Sequence, residues 1–103
     1  MAYALILCTC GSPASAGEIA GLLVKERLAA CVQRMPIESA YLWQGELCQD
    51  AEVLLLIKSK AELFDEIAAR IREIHPYDLP EVILLPLTEG LPDYLGWIDD
   101  CTK

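Results

Sequence analysis

Apolar and polar positions alternate along this chain with two different periods, and the changes of period divide it into elements. Tyr3 to Thr9 is apolar on both faces of a strand, which suits a central place in a sheet. Gly11-Ser12-Pro13 ends it. Ser15 and Glu18 fit a capping box, and the helix that follows carries Ile19, Leu22, Leu23 and Ala30 on one stripe, ending near Leu28. A strand runs from Cys31 to Trp43, with Tyr41 and Trp43 on one face and Ala40 and Leu42 on the other. Pro36 marks a bulge or a sheet edge within it. Gln44-Gly45 is a turn signal, and a return strand with Val53 to Ile57 as its buried part completes a long hairpin. Ser59 and Glu62 form a second capping box before a helix with Phe64, Ile67, Ala68, Ile71 and Ile74 on one face. Pro76 stops that helix. Val82 to Leu87 is an apolar strand, and Pro92 opens a short last helix bearing Tyr94, Trp97 and Ile98.

The order βαββαβ plus a C-terminal helix predicts an α+β, ferredoxin-like domain spanning residues 1–103. Two helices cover one sheet face. The other face is still apolar and calls for a partner. Chain length sharpens this expectation. Thirteen strand residues at about 3.3 Å each span roughly 43 Å, whereas a domain of this size has a radius of gyration near ~13 Å. The β-hairpin arm, with Tyr41 and Trp43, therefore overhangs its own core unless Pro36 bends it back. Exposed aromatics on open strand edges invite aggregation, so another chain is expected to cover them. Tyr94 and Trp97 are expected in core or subunit packing.

Composition narrows the function classes. The formal net charge is −8, from 8 basic and 16 acidic residues, with no Lys/Arg cluster. That argues against nucleic-acid and anionic-membrane partners. No apolar run reaches spanning length, and the first residues lack a secretory signal's basic segment. Five cysteines, at 8, 10, 31, 48 and 101, give an odd count without zinc-type spacing. They read as reduced thiols of a cytoplasmic protein. Cys8 and Cys10 share a strand face, and small buried hydrophobes are the ordinary role of such cysteines. The one histidine sits in His75-Pro76-Tyr77-Asp78-Leu79-Pro80-Glu81, a proline-stiffened loop of imidazole, phenol and carboxylates. The loop is either a helix-to-strand turn or a ligand site. Cys8 or Cys31 with His75 has the residue types of a nucleophile and base, but no nucleophile elbow or zinc-hydrolase motif accompanies them, so no enzymatic activity is expected.

The chain resembles the CutA family of divalent-cation-tolerance proteins. The resemblance rests on Glu26-Arg27-Leu28-Ala29-Ala30-Cys31-Val32 and Ser39-Ala40-Tyr41-Leu42-Trp43-Gln44-Gly45. It also rests on Glu52 with Ile57-Lys58-Ser59, on the His75 loop to Pro80-Glu81, and on Tyr94-Leu95-Gly96-Trp97-Ile98. It implies a homotrimer knitted together by hairpin arms, with Tyr41, Trp43, Tyr94 and Trp97 at subunit interfaces. It also implies a likeness to PII signalling proteins, which bind ligands between subunits, and an association with copper and other divalent metals. Cys8 and His75 match positions tied to metal binding, although Ile74 stands where some members have a second histidine. Glu81 supplies an oxygen to the expected set. Thiolate and imidazole suit copper or zinc, as an optional ligand rather than an obligatory cofactor. The alternatives are a PII-like sensor with a small ligand in an inter-subunit cleft, and a purely scaffolding trimer.

Overall fold

The computed structural model describes residues 2–103. Its elements are β1 (Tyr3–Cys10), α1 (Pro13–Lys25), β2 (Cys31–Trp43), β3 (Glu46–Lys60), α2 (Phe64–Ile74), β4 (Val82–Leu87) and α3 (Pro92–Cys101), with a 3-10 turn at Ala61–Leu63. The four strands form one antiparallel sheet in the order β2-β3-β1-β4. This is the ferredoxin-like α+β arrangement with a C-terminal helix added. β1 is paired on both sides, as its two apolar faces require. Both strand prolines lie on edge strands, Pro36 on β2 and Pro86 on β4, where a missing N–H costs no internal ladder bond.

The register of β2 on β3 is unbroken from Cys31↔Lys58 to Trp43↔Glu46. Pro36 thus makes no bulge and does not fold the arm back. β1 reaches only as far as Val53 of β3, so the pairs from Ile37↔Glu52 to Trp43↔Glu46 project beyond the rest of the sheet. The molecule is accordingly elongated, 45 × 25 × 21 Å. Gln44 and Gly45 close the hairpin with φ of 52° and 81°. Positive φ at both central residues is the two-residue turn whose twist matches that of the strands, and glycine enters it without strain.

Both expected capping boxes are absent. α1 begins earlier, with Ser12 as cap: its Oγ accepts the Ser15 N–H at 3.1 Å, and Pro13 fills the first helical position. Proline presets helical φ there and has no N–H to leave unpaired, so it outweighs the Ser15–Glu18 pattern one turn on. At the second site the strand continues through Lys60, and α2 has no side-chain cap. Ser59 is fully buried, and its Oγ donates to the Leu28 carbonyl at 2.5 Å. A tertiary hydrogen bond has claimed the hydroxyl that the local pattern assigned to a helix start.

Ala4, Ile6, Cys8 and Cys10 of β1 and Leu55 and Ile57 of β3 meet Ile19 and Leu23 of α1 and Ile67 and Ile71 of α2 in one core. The opposite face carries Leu5, Leu7, Leu54 and Leu56, half-buried, and Met35, Ile83 and Leu85, exposed. α3 sits near the start of β1, where Lys58 Nζ donates to Tyr94 Oη and Lys60 Nζ pairs with Asp99 Oδ1, each at 3.2 Å. Ile98 is the buried residue of that helix.

Candidate functional site

Pro76 disfavours helical geometry at the residue before it, so His75 caps α2 in extended conformation and turns its ring toward the end of β1. β4 stops pairing with β1 at Cys8↔Val82. One residue further on, the imidazole takes up the Thr9 carbonyl, with Nε2 and the oxygen 2.8 Å apart. Nδ1 accepts the Tyr77 N–H at 3.0 Å. A ring nitrogen that accepts from an amide carries no proton, so Nε2 is the protonated nitrogen and donates to Thr9. Both nitrogens are engaged, and the histidine is buried.

Cys8 and Cys10 are fully buried on the helix-covered face of β1. The two thiols lie close together. A proton kept on Cys8 and turned toward Cys10 lowers the Cys10 pKa; burial opposes this and Ser15 at the start of α1 adds to it. The same pairing, together with burial, raises Cys8 well above the ordinary thiol value. Cys10 is thus the thiolate-prone member of the pair. One ligand atom from each of Cys8, Cys10 and His75 can be chosen so that all lie within 4.8 Å of one another. Among the described residues no other trio of His, Cys, Asp or Glu comes so close. The structure therefore brings Cys8 and His75 together, with Cys10 as third member. Glu81 is exposed and lies outside the trio, adding only a weak upward push on the Cys8 thiol. The sequence offered one signal for Cys10, its i, i+2 spacing from Cys8.

Tyr77 swings from the same loop over Gly11, where a Cβ would stand 2.7 Å from the phenol oxygen. Its Oη donates to Glu52 Oε2 at 2.7 Å. Burial and that bond raise the phenol's pKa, so it remains a donor. Out on the arm, Tyr41 Oη donates to Asp50 Oδ2 at 2.5 Å, a bond that pushes Tyr41 up to about 12. Glu52 is 7 % exposed and pairs with no cation among the described residues. Of the residues expected at interfaces, Trp43 is 42 % and Trp97 43 % exposed, and Tyr41 and Tyr94 are exposed likewise. Tyr94 and Trp97 stack on each other with centroids 5.5 Å apart.

Fold, arm and loop together define a ferredoxin-like α+β protein with an overhanging hairpin and a histidine-anchored loop beside a thiol pair. A family model for the CutA1 divalent ion tolerance protein matches residues 4–101, and the chain belongs to that family. It is 43 % identical over 99 residues to the divalent-cation tolerance protein CutA of Thermus thermophilus, covering 95 % of this chain and 96 % of that one. Mouse protein CutA is 43 % identical over 96 residues, which are 92 % of this chain and 54 % of the mouse protein, so the chain spans about half of that relative. The crystal structure of CutA1 from Oryza sativa superposes with a TM-score of 0.97 at 38 % identity, covering all of this chain and 95 % of the rice chain.

Proposed function

We propose that this is a cytoplasmic, homotrimeric metal-binding protein that takes a soft cation at the Cys8–Cys10 pair, with Cu(I) the ion its donors fit best. The observation that carries this reading is the approach of two buried thiols and an imidazole within 4.8 Å. Two metal–thiolate bonds of about 2.3 Å reach across about 4.6 Å, so sulfurs held within 4.8 Å need at most a slight inward shift to share one ion. Thiolates favour Cu(I) or zinc over magnesium and calcium. Zinc, however, needs four ligands in a closed site, and His75 joins only by releasing the Thr9 carbonyl or the Tyr77 amide. A low-coordinate, thiolate-bound Cu(I) requires neither. His75 would then position the end of β1 rather than bind the ion. Reduced thiols also underlie the cytoplasmic placement: all five cysteines are unpaired. The trimer is supported by the apolar second face and by the exposed arm aromatics. The reading is of a binding protein, not a catalyst.

Calorimetric titration of the reduced protein with Cu(I) and with Zn(II) tests it. The expected result is one Cu(I) per chain, lost in Cys8→Ser, Cys10→Ser and retained in His75→Gln, with zinc much weaker. Because both sulfurs must shed protons, affinity falls as pH falls. Equal Cu(I) uptake by the double serine variant would overturn the site.

A further inference from the structure

Two opposite charges on the second sheet face lack a charged partner within the chain. Successive β3 side chains alternate between faces, so Glu52 and Lys58 stand with Leu54 and Leu56, opposite the helices. Glu52 is nearly buried; its Oε2 accepts from Tyr77, and no cation lies beside it among the described residues. Buried charges ordinarily have a partner of opposite sign. Lys58 is half-buried against Tyr94, with Nζ 5.3 Å from the ring centroid and 3.2 Å from Oη. An ammonium group has three donors, so two remain once Tyr94 is served. Among the described residues no carboxylate takes them. The other strand cations are otherwise placed: Lys60 is committed to Asp99, and Arg34 lies on the helix-covered face against Gly17. Within one chain Lys58 has no way to reach Glu52. Six positions of extended strand separate them, roughly 20 Å at about 3.4 Å each.

We propose that Glu52 pairs with Lys58 of the partner subunit, closing a ring of identical ion pairs between chains. This rests on the proposed trimer and adds the contact that sets how its chains dock. A cyclic assembly joins unlike patches of neighbouring chains head to tail. Every chain then gives one acid and one ammonium group, and neither is left over. The covering chain lies on Leu54 and Leu56 and takes both charges out of water. A chain docked in another register would bury each charge alone, which is costly, so the pair selects the arrangement as well as joining it. Tyr77 fixes Glu52 through a hydroxyl that burial and this same bond keep protonated, and Oε1 is left to face the ammonium group. The pair thereby links the neighbouring chain to the loop that His75 anchors beside the thiol pair.

Subunit exchange tests this: donor-labelled and acceptor-labelled batches of the reduced, intact protein are mixed, and energy transfer is followed. Truncating one partner of a buried charge pair acts mainly on dissociation. Glu52→Gln, which keeps an acceptor for Tyr77, and Lys58→Met should therefore each speed exchange at least about tenfold. The variant carrying both should exchange no faster than the faster single, because the second change removes a contact already lost. Asp50→Asn, a carboxylate of the same face, should act independently of Lys58→Met. Effects of Glu52→Gln and Lys58→Met that simply multiply would overturn the pair and leave the trimer standing. So would coupling of Lys58 to Asp50 instead, or wild-type exchange in Lys58→Met, a half-buried position that does not put the core at risk. A monomeric wild type in light scattering removes the trimer and the pair with it.

Discussion

Leu28 follows the left-handed turn at Arg27 (φ 61°), and its carbonyl is met by Ser59 from the neighbouring strand. Ser59→Ala leaves that carbonyl facing a methyl group in a fully buried position. The expected cost is about 1–3 kcal/mol, the penalty of an unsatisfied buried acceptor, measured by urea unfolding at fixed protein concentration. A cost under ~0.5 kcal/mol would mean that water reaches Leu28 and replaces the hydroxyl. Ser59 also illustrates what a sequence leaves open at this scale. The Ser-x-x-Glu pattern is a local signal, and it loses wherever a distant backbone group claims the hydroxyl. Cys10 was hidden for a similar reason. Its spacing puts it on Cys8's face, but only the return of His75 to Thr9 makes the pair part of a trio. Glu52 carries no visible role until Tyr77 reaches it from twenty-five positions away.

Among the elements, the hairpin was the most legible, because a Gln-Gly turn between two strand-like runs marks both its strands, whereas Pro36 left open whether the pairing ran straight, as it does. The start of α2 was not, since a 3-10 turn carries β3 into the helix without any capping side chain. What joins the two helices also lies beyond local pattern. Arg70 of α2 grips Glu26 at the end of α1 with Nε and Nη2, at 2.9 and 2.8 Å. A planar fork on a carboxylate is the strong form of an ion pair. These bonds hold the Glu26 carboxyl below its ordinary value of 4.5. A depressed folded pKa stabilises the fold above the unfolded value, and that contribution is lost as pH falls through the folded one. Wild type should therefore lose more melting temperature between pH 6 and pH 3 than Glu26→Gln, which has no such proton to take up. Parallel acid profiles for the two proteins would show that the bridge adds nothing to folding, as exposed pairs often do.

On the scale of the whole molecule, the arm is a cost that a lone chain has no way to recover. It holds Trp43, Leu42 and Leu47 in the open, and the second sheet face adds Met35, Ile83 and Leu85. The overhang was legible from strand length alone, whereas the number of chains that share it was not, because a protomer's sequence carries no symmetry operator. The proposed trimer turns that exposed surface into buried surface, and three chains of −8 give 3 × −8 = −24. Added salt should then stabilise the assembly by screening its self-repulsion. Because folding and association are linked, the melting temperature should rise with protein concentration. Trp43→Ala provides the sharper measurement. In an isolated chain the indole is 42 % exposed, and its removal would cost little. Packed between subunits, its loss should cost about 3 kcal/mol per site, enough to shift the trimer toward free chains on dilution. Light scattering across a hundredfold dilution separates the two cases. Wild type holding three chains throughout while Trp43→Ala dissociates is the expected outcome. A wild-type monomer at micromolar concentration would instead leave the arm aromatics without a covering partner, and would remove the case for the assembly.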